Sequence, residues 1–243
     1  MGIDTERLLT AMHQWSAKLE SVPGWTKFKR ESFHTTISYD DPWPGDKPLK
    51  SGGFKLPPDV DRERDLVTRF YTLVTSLQSL RDCEYYFRRY PFRGLPVFHH
   101  DHLRYICEMY FSRFYEFSER LKKMGNAINA NLPDGQTIDV GGLVKAFKNQ
   151  FDPEIKARNN VHHHDRFEDI RLDNLFFLTA ANLREKKKHI DDRRRNSYRD
   201  ATREWSQRVR VRSDLVEKHL DGVALVILDS CTFLKLVTED VPI

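Results

Sequence analysis

The sequence lacks several features that would place it quickly. Its three cysteines (Cys83, Cys107, Cys231) are odd in number, far apart and without a CxxC pair, which argues against a disulfide framework or a zinc ribbon and fits a reducing compartment. No glycine loop has phosphate- or dinucleotide-binding spacing, since "SGGFK" (51–55) lacks the Walker pattern. The most apolar run, "GVALVILDSCTFLKLV" (222–237), is too short to span a bilayer and is interrupted by Asp229 and Lys235. The opening residues carry no signal-peptide pattern, and Glu6 stands where myristoylation needs Ser or Thr. An excess of one charge is also missing: 40 Lys and Arg stand against 36 Asp and Glu, so net charge alone does not announce a nucleic-acid protein. These absences lead to the expectation of a soluble, cytoplasmic protein with no membrane partner.

What is present is helical period. At 243 residues, with sixteen Phe and nine Tyr, the chain can bury a core and is too aromatic for disorder. Residues 4–20 begin with an Asp/Thr cap signal and set Leu8, Met12, Trp15 and Leu19 on one helical face. Residues 22–58 hold six of the eleven prolines and are expected to be irregular, with the alternating "FHTTISY" (33–39) as a short strand or hairpin arm. From 59 onward the period predicts long helices over about 59–90 and 100–124, and a third through 140–151 reaching towards Ala157 with Pro153 in a first turn. A fourth is predicted over 166–183; after a charged connector, one or two more follow over 197–237. The predicted fold is an all-α, up-and-down helical bundle. Residues 1–58 would form an N-terminal helix with an irregular Pro/Gly-rich segment, and 59–243 the bundle with a C-terminal helical extension.

The densest polar chemistry lies in "ARNNVHHHD" (157–165), between the third and fourth bundle helices. Histidine exchanges a proton near pH 7, and arginine presents a permanently charged fork that matches phosphate oxygens. A His base beside an Arg clamp suits attack of a ribose 2′-hydroxyl on its own phosphodiester, with no metal required. On a regular helix Asn159 and His163 share a face, Arg158 and His162 share another, and Arg158 to His163 is about 140° around. Spacing therefore leaves two candidate histidines open.

Arg158-Asn159-Asn160-Val161-His162-His163 resembles the R-(N/D/H)-x-x-x-H signature of HEPN (higher eukaryotes and prokaryotes nucleotide-binding) domains. Looser Arg–His spacings recur at Arg93, Arg184 and Arg212, but only Arg158 combines the following Asn with the four-residue gap. The resemblance covers roughly 59–183 in architecture and six residues in motif. It implies a four- or five-helix bundle and a metal-independent endoribonuclease of toxin, defence or RNA-processing type. It also implies RNA as substrate, no cofactor, and a homodimer whose two motifs meet in one cleft, with room for an antitoxin or other partner protein. The toxin branch often has Tyr two residues beyond the His; here that position is Asp165, so that branch and its antitoxin are not inferred. By this resemblance Arg158 stabilises the transition state and His163 acts as base or acid. Asn159 orients the His or holds phosphate, and His162 substitutes for His163 if the register slips by one.

Two other readings stay open. The same residues could be the surface of a non-catalytic helical module that binds RNA or a protein. Alternatively "FHHDH" (98–102) and "HHHD" (162–165) could converge on a metal, although neither has the HExxH or ExxH spacing that aligns ligands. The plain reading of His99, His100 and His102 is a helix N-terminus, where Asp101 is favourable. Segment 184–212 carries twelve Lys and Arg against five acids, a stripe suited to phosphate contacts through Lys186, Lys187, Lys188, Arg193, Arg194 and Arg195. Trp205 and the stripe Tyr105, Tyr110, Phe111, Phe114, Tyr115 and Phe117 are expected to be core or dimer interface.

Overall fold

The computed structural model describes residues 1–37, 54–92, 94–163 and 167–235, and among them every regular element is helical. The helices are α1 (Ile3–Leu19), α2 (Trp25–Ile37), α3 (Pro58–Arg88), α4 (His99–Asn129), α5 (Val140–Gln150), α6 (Asp152–His163), α7 (Ile170–Glu185) and α8 (Lys188–Ser230), followed by a 3-10 turn over Thr232–Leu234. The predicted all-α bundle is what forms. Helices α3, α4 and α8 are its long members: α3 packs on both others, α1 and α7 lie along α8, and α5 and α6 lie against α4.

One aromatic nexus sits where these helices meet. The Trp205 ring of α8 stacks on Phe87 of α3 (5.6 Å between centroids, 16° between planes) and is met by Tyr110 and Phe111 of α4 and by Phe167. This fulfils the expectation of a core anchor for Trp205. Charged belts tie the outer faces: Arg81 to Glu217 and Arg210 to Glu84 join α3 to α8, Arg104 to Asp173 joins α4 to α7, and Arg171 to Glu204 joins α7 to α8. Helix α1 contributes Leu8, Met12 and Trp15 to the same core. Its N-terminus is capped from a distance, because Gly2 has no side chain to do it. The backbone N–H and the hydroxyl of Thr5 both donate to Asp221 Oδ1 of α8, at 2.8 and 3.0 Å. A β-carbon at Gly2 would collide with that carboxylate.

Three expectations are corrected. Residues 33–37 are not strand but the end of α2, where the Thr35 and Thr36 hydroxyls donate to the carbonyls of Glu31 and Ser32 one turn back. Alternation over so few residues is also compatible with a helix, and α2 buries no residue; Phe28 instead stacks on Phe54 at 4.8 Å. The Pro/Gly-rich stretch 38–53 lies outside the described residues. The third predicted helix is two, α5 and α6. Pro153 takes its expected first-turn place in α6, but its missing N–H and its ring prevent the helix from running on from α5. Finally, most of the charged connector before residue 197 is the first two and a half turns of α8. Asp191 pairs there with both Arg194 and Arg195 at 2.6 Å, three and four residues on, and only Lys186 and Lys187 link α7 to α8.

The central position of Trp205 makes a direct prediction. Trp205→Ala should lower unfolding free energy by about 3–5 kcal/mol and Trp205→Phe by distinctly less, measured by urea denaturation. Equal losses for the two would show that ring packing is not what the site requires.

Candidate active site

Helix α6 carries the candidate motif, and one stripe of it faces the bundle. Phe151 at the preceding junction, Glu154, Ile155, Arg158 and Val161 follow one another at helical spacing, buried at the start and half-buried further on. At the buried end Glu154 is fully inaccessible, and its Oε1 accepts from Arg208 Nη2 and Arg212 Nε of α8, both at 3.0 Å. Among the described residues Glu154 Oε2 is buried without a hydrogen-bond partner, and the buried Tyr110 hydroxyl lies beside Glu154 and Arg208. Burial first, and then the Glu154 carboxylate, push the Tyr110 phenol far up, so it stays protonated. Burial pulls the Arg208 guanidinium down, but Glu154 and Tyr110 together outweigh this and leave it raised, so Arg208 remains charged.

One turn further along α6, the guanidinium of Arg158 lies over the face of Tyr115 on α4, 4.0 Å from its centroid. Its Nη1 donates to Asn159 Oδ1 at 3.2 Å. Among the described residues no carboxylate forms an ion pair with Arg158. A hollow of about 400 Å³ opens here between α4 and α6, lined by Tyr105, Glu108, Met109, Ser112, Arg158 and Val161. Tyr110, Phe111, Phe114 and Phe117 are buried as expected, but Tyr105 is 66 % exposed and Tyr115 half-buried: their side of α4 forms the hollow instead of the core.

The structure therefore brings Arg158 and Asn159 together beside a cavity. The backbone of α6 continues as helix through His162 and His163, whose side chains lie outside the described residues. Helical register sets position 162 on the stripe of Arg158 and position 163 on that of Asn159. The proposed nucleic-acid face is divided. Lys187 is paired with Glu185, and Arg194 and Arg195 share Asp191, whereas Lys186, Lys188 and Arg193 are exposed. Lys186 also closes α7 in the left-handed conformation (φ 50°).

His99, His100 and His102 do begin α4, and their rings are occupied by packing. His102 Nε2 donates to the carbonyls of Arg89 and Tyr86 at 3.0 and 3.3 Å; His99 stacks on Tyr90 and meets Tyr198; His100 stacks on Phe98. Among the described residues no group of three or more His, Cys, Asp or Glu is arranged to hold a metal. The other half of that alternative, 162–165, lies outside the described side chains.

Sequence reasoning missed Glu154 and Tyr115. Glu154 had the appearance of an ordinary acid in a helix first turn, although its place on the apolar stripe, four residues before Arg158, was a signal of burial. No family model, curated protein or solved structure matches the chain.

Two predictions come from this region. Glu154→Ala would leave two guanidiniums facing each other without their shared counter-ion, lowering stability by about 3 kcal/mol in urea titrations. A loss below about 1 kcal/mol would mean that the pairing is dispensable. Burial also lowers the pKa of His219, which lies against Phe147 and Phe151 with Nε2 2.5 Å from Gln150 Oε1. A histidine whose folded pKa is depressed binds fewer protons folded than unfolded, so stability should fall as pH drops below about 6.5. His99 and His102 are shifted the same way by burial and add to the effect. His219→Gln should flatten the pH dependence of the unfolding midpoint between about pH 6.5 and 5; an unchanged slope would remove His219 as a source.

Proposed function

We propose that the chain is a metal-independent endoribonuclease that cleaves RNA by 2′-hydroxyl transesterification at the Arg158 hollow. The observation that carries this reading is the state of Arg158: held over the Tyr115 ring, without an ion pair among the described residues, and lining a cavity beside Asn159. A guanidinium held over a ring face by its central carbon still has N–H donors at its edge to offer a ligand. That arrangement suits two non-bridging oxygens of one phosphate and their growing charge as the 2′-oxygen attacks.

A histidine of the α6 terminus takes the 2′-hydroxyl proton, and the 5′-oxygen leaves with a proton from solvent, giving a 2′,3′-cyclic phosphate and a 5′-hydroxyl. His163 holds the motif spacing and shares a stripe with Asn159; His162 shares the stripe of Arg158. With its oxygen accepting from Arg158, Asn159 keeps its amide N–H groups for phosphate or for His163. The HEPN resemblance supports the same chemistry, adding a second copy whose motif would complete the cleft and a role in RNA processing or defence.

In excess EDTA the purified protein should cut single-stranded RNA to fragments with 2′,3′-cyclic phosphate ends. Arg158→Ala should slow this about 10²–10³-fold, and Ala at whichever of His162 and His163 is the base should slow it about 10²–10⁴-fold. Cleavage that requires added metal, or an Arg158→Ala enzyme as active as the parent, would refute the proposal. Binding without cleavage would favour the non-catalytic module.

A further inference from the structure

The two arginines that hold Glu154 face outward as well as inward. Together with Arg203 and Gln207 they line an open hollow of about 690 Å³ on α8. Arg208 is fixed on two sides, by Glu154 and by the Trp205 ring 4.9 Å beneath its guanidinium. Arg212 reaches Glu154 through Nε, which leaves both of its terminal nitrogens for the hollow.

Asp200 and Glu204 line the same hollow, and both already have cations. Asp200 lies 3.6 Å from Arg203, and Glu204 is paired with Arg171 at 2.6 Å. Glu154 has a single carboxylate for two guanidiniums, 38 % and 26 % exposed at their side chains. Across the site four guanidiniums therefore meet three carboxylates, and the uncompensated charge sits on rigid, half-buried donors. Arginines held in this way lose little side-chain entropy on binding, and their planar forks match phosphate. By contrast, Arg194, Arg195 and Lys187 at the start of α8 spend their charge on Asp191 and Glu185.

We propose that the hollow formed by Arg203, Gln207, Arg208 and Arg212 is a phosphate-binding site for the RNA backbone, separate from the Arg158 hollow. It would hold a phosphate of the same strand at a distance from the bond being cut. Glu154 and Arg158 are one turn apart on α6, about 6 Å of helix rise, so one helix fixes both sites relative to each other. The identity of the strand rests on the ribonuclease reading; the affinity for phosphate rests on the α8 hollow itself.

The test uses the full chain and a fluorescein-labelled, 2′-O-methylated 12-nucleotide oligouridylate, which keeps its phosphates but cannot be cleaved. Binding is followed by fluorescence anisotropy from 50 to 200 mM NaCl. Gln207→Glu adds a carboxylate to the hollow without touching the Glu154 pairing; Gln14→Glu adds one on exposed α1 as a control. Gln207→Glu should bind about tenfold more weakly and with a salt slope shallower by about one. The control should stay within about twofold of the parent. No binding by the parent, an unaffected Gln207→Glu, or equal losses in both variants would each overturn the site. Unmodified RNA separates the two proposals. Weakened binding in Gln207→Glu with no cleavage by the parent leaves the site standing and removes the nuclease. Cleavage by the parent that Gln207→Glu matches, with unchanged binding, does the reverse.

Discussion

A single carboxylate oxygen, Glu154 Oε1, decides where the candidate site lies. A fully buried anion has no water to stabilise it and must be held by charge, and here two guanidiniums from α8 meet it at 3.0 Å. Helix α6 is short and mostly polar, with its apolar contact to the bundle limited to partly buried residues such as Ile155 and Ala157. Such a helix gains little from burial and could slide or turn against α4 at small cost. The ion pairs fix its first turn to α8, and with that turn fixed Arg158 falls over Tyr115. Buried pairs of this kind contribute less to stability than to specifying one arrangement, and the arrangement specified here is the position of Arg158 over Tyr115.

The parts of the fold that could be read in advance were those where apolar spacing is long and regular. Leu66, Phe70, Leu73, Leu77 and Leu80 announce α3 and are all buried in it. The start of α8 was hidden because runs of Lys, Arg and Asp read as a solvated linker, although such residues form helices well and pair with each other at three- and four-residue spacing. Helix α2 was hidden for another reason: it buries nothing in the core, so no helical stripe competes with a chance alternation. Within the site, Arg158 and Asn159 were legible because their chemistry is carried by neighbours in sequence. Glu154 was not, because its meaning depends on Arg208 and Arg212, more than fifty residues away. Tyr115 was not, because periodicity identifies an aromatic stripe but not which of its edges another helix leaves open.

The charge of α8 is also unevenly useful. Counted along the sequence, its basic residues form one stretch; in space they divide into those cancelled by an acid three or four residues away and those cancelled only in part across the bundle. The half-buried guanidiniums shared over Glu154 are the better placed for an anionic partner, since they are held rigid at no further entropic cost. Phosphate recognition would then depend on packing between α6, α4 and α8 as much as on the number of lysines and arginines.

The long-range cap on α1 has a consequence for how the chain is made. Thr5 and Asp221 lie 216 residues apart in sequence yet share hydrogen bonds, and α1 packs chiefly on α8 and on the turn that follows it. During synthesis α1 is thus made long before the partner that seats its N-terminus. Its apolar stripe waits while the intervening chain is added, at about 5–20 residues per second. Until residue 221 emerges, the nascent chain carries an amphipathic helix with nothing to bind, the kind of segment that chaperones shield and that neighbouring chains can capture.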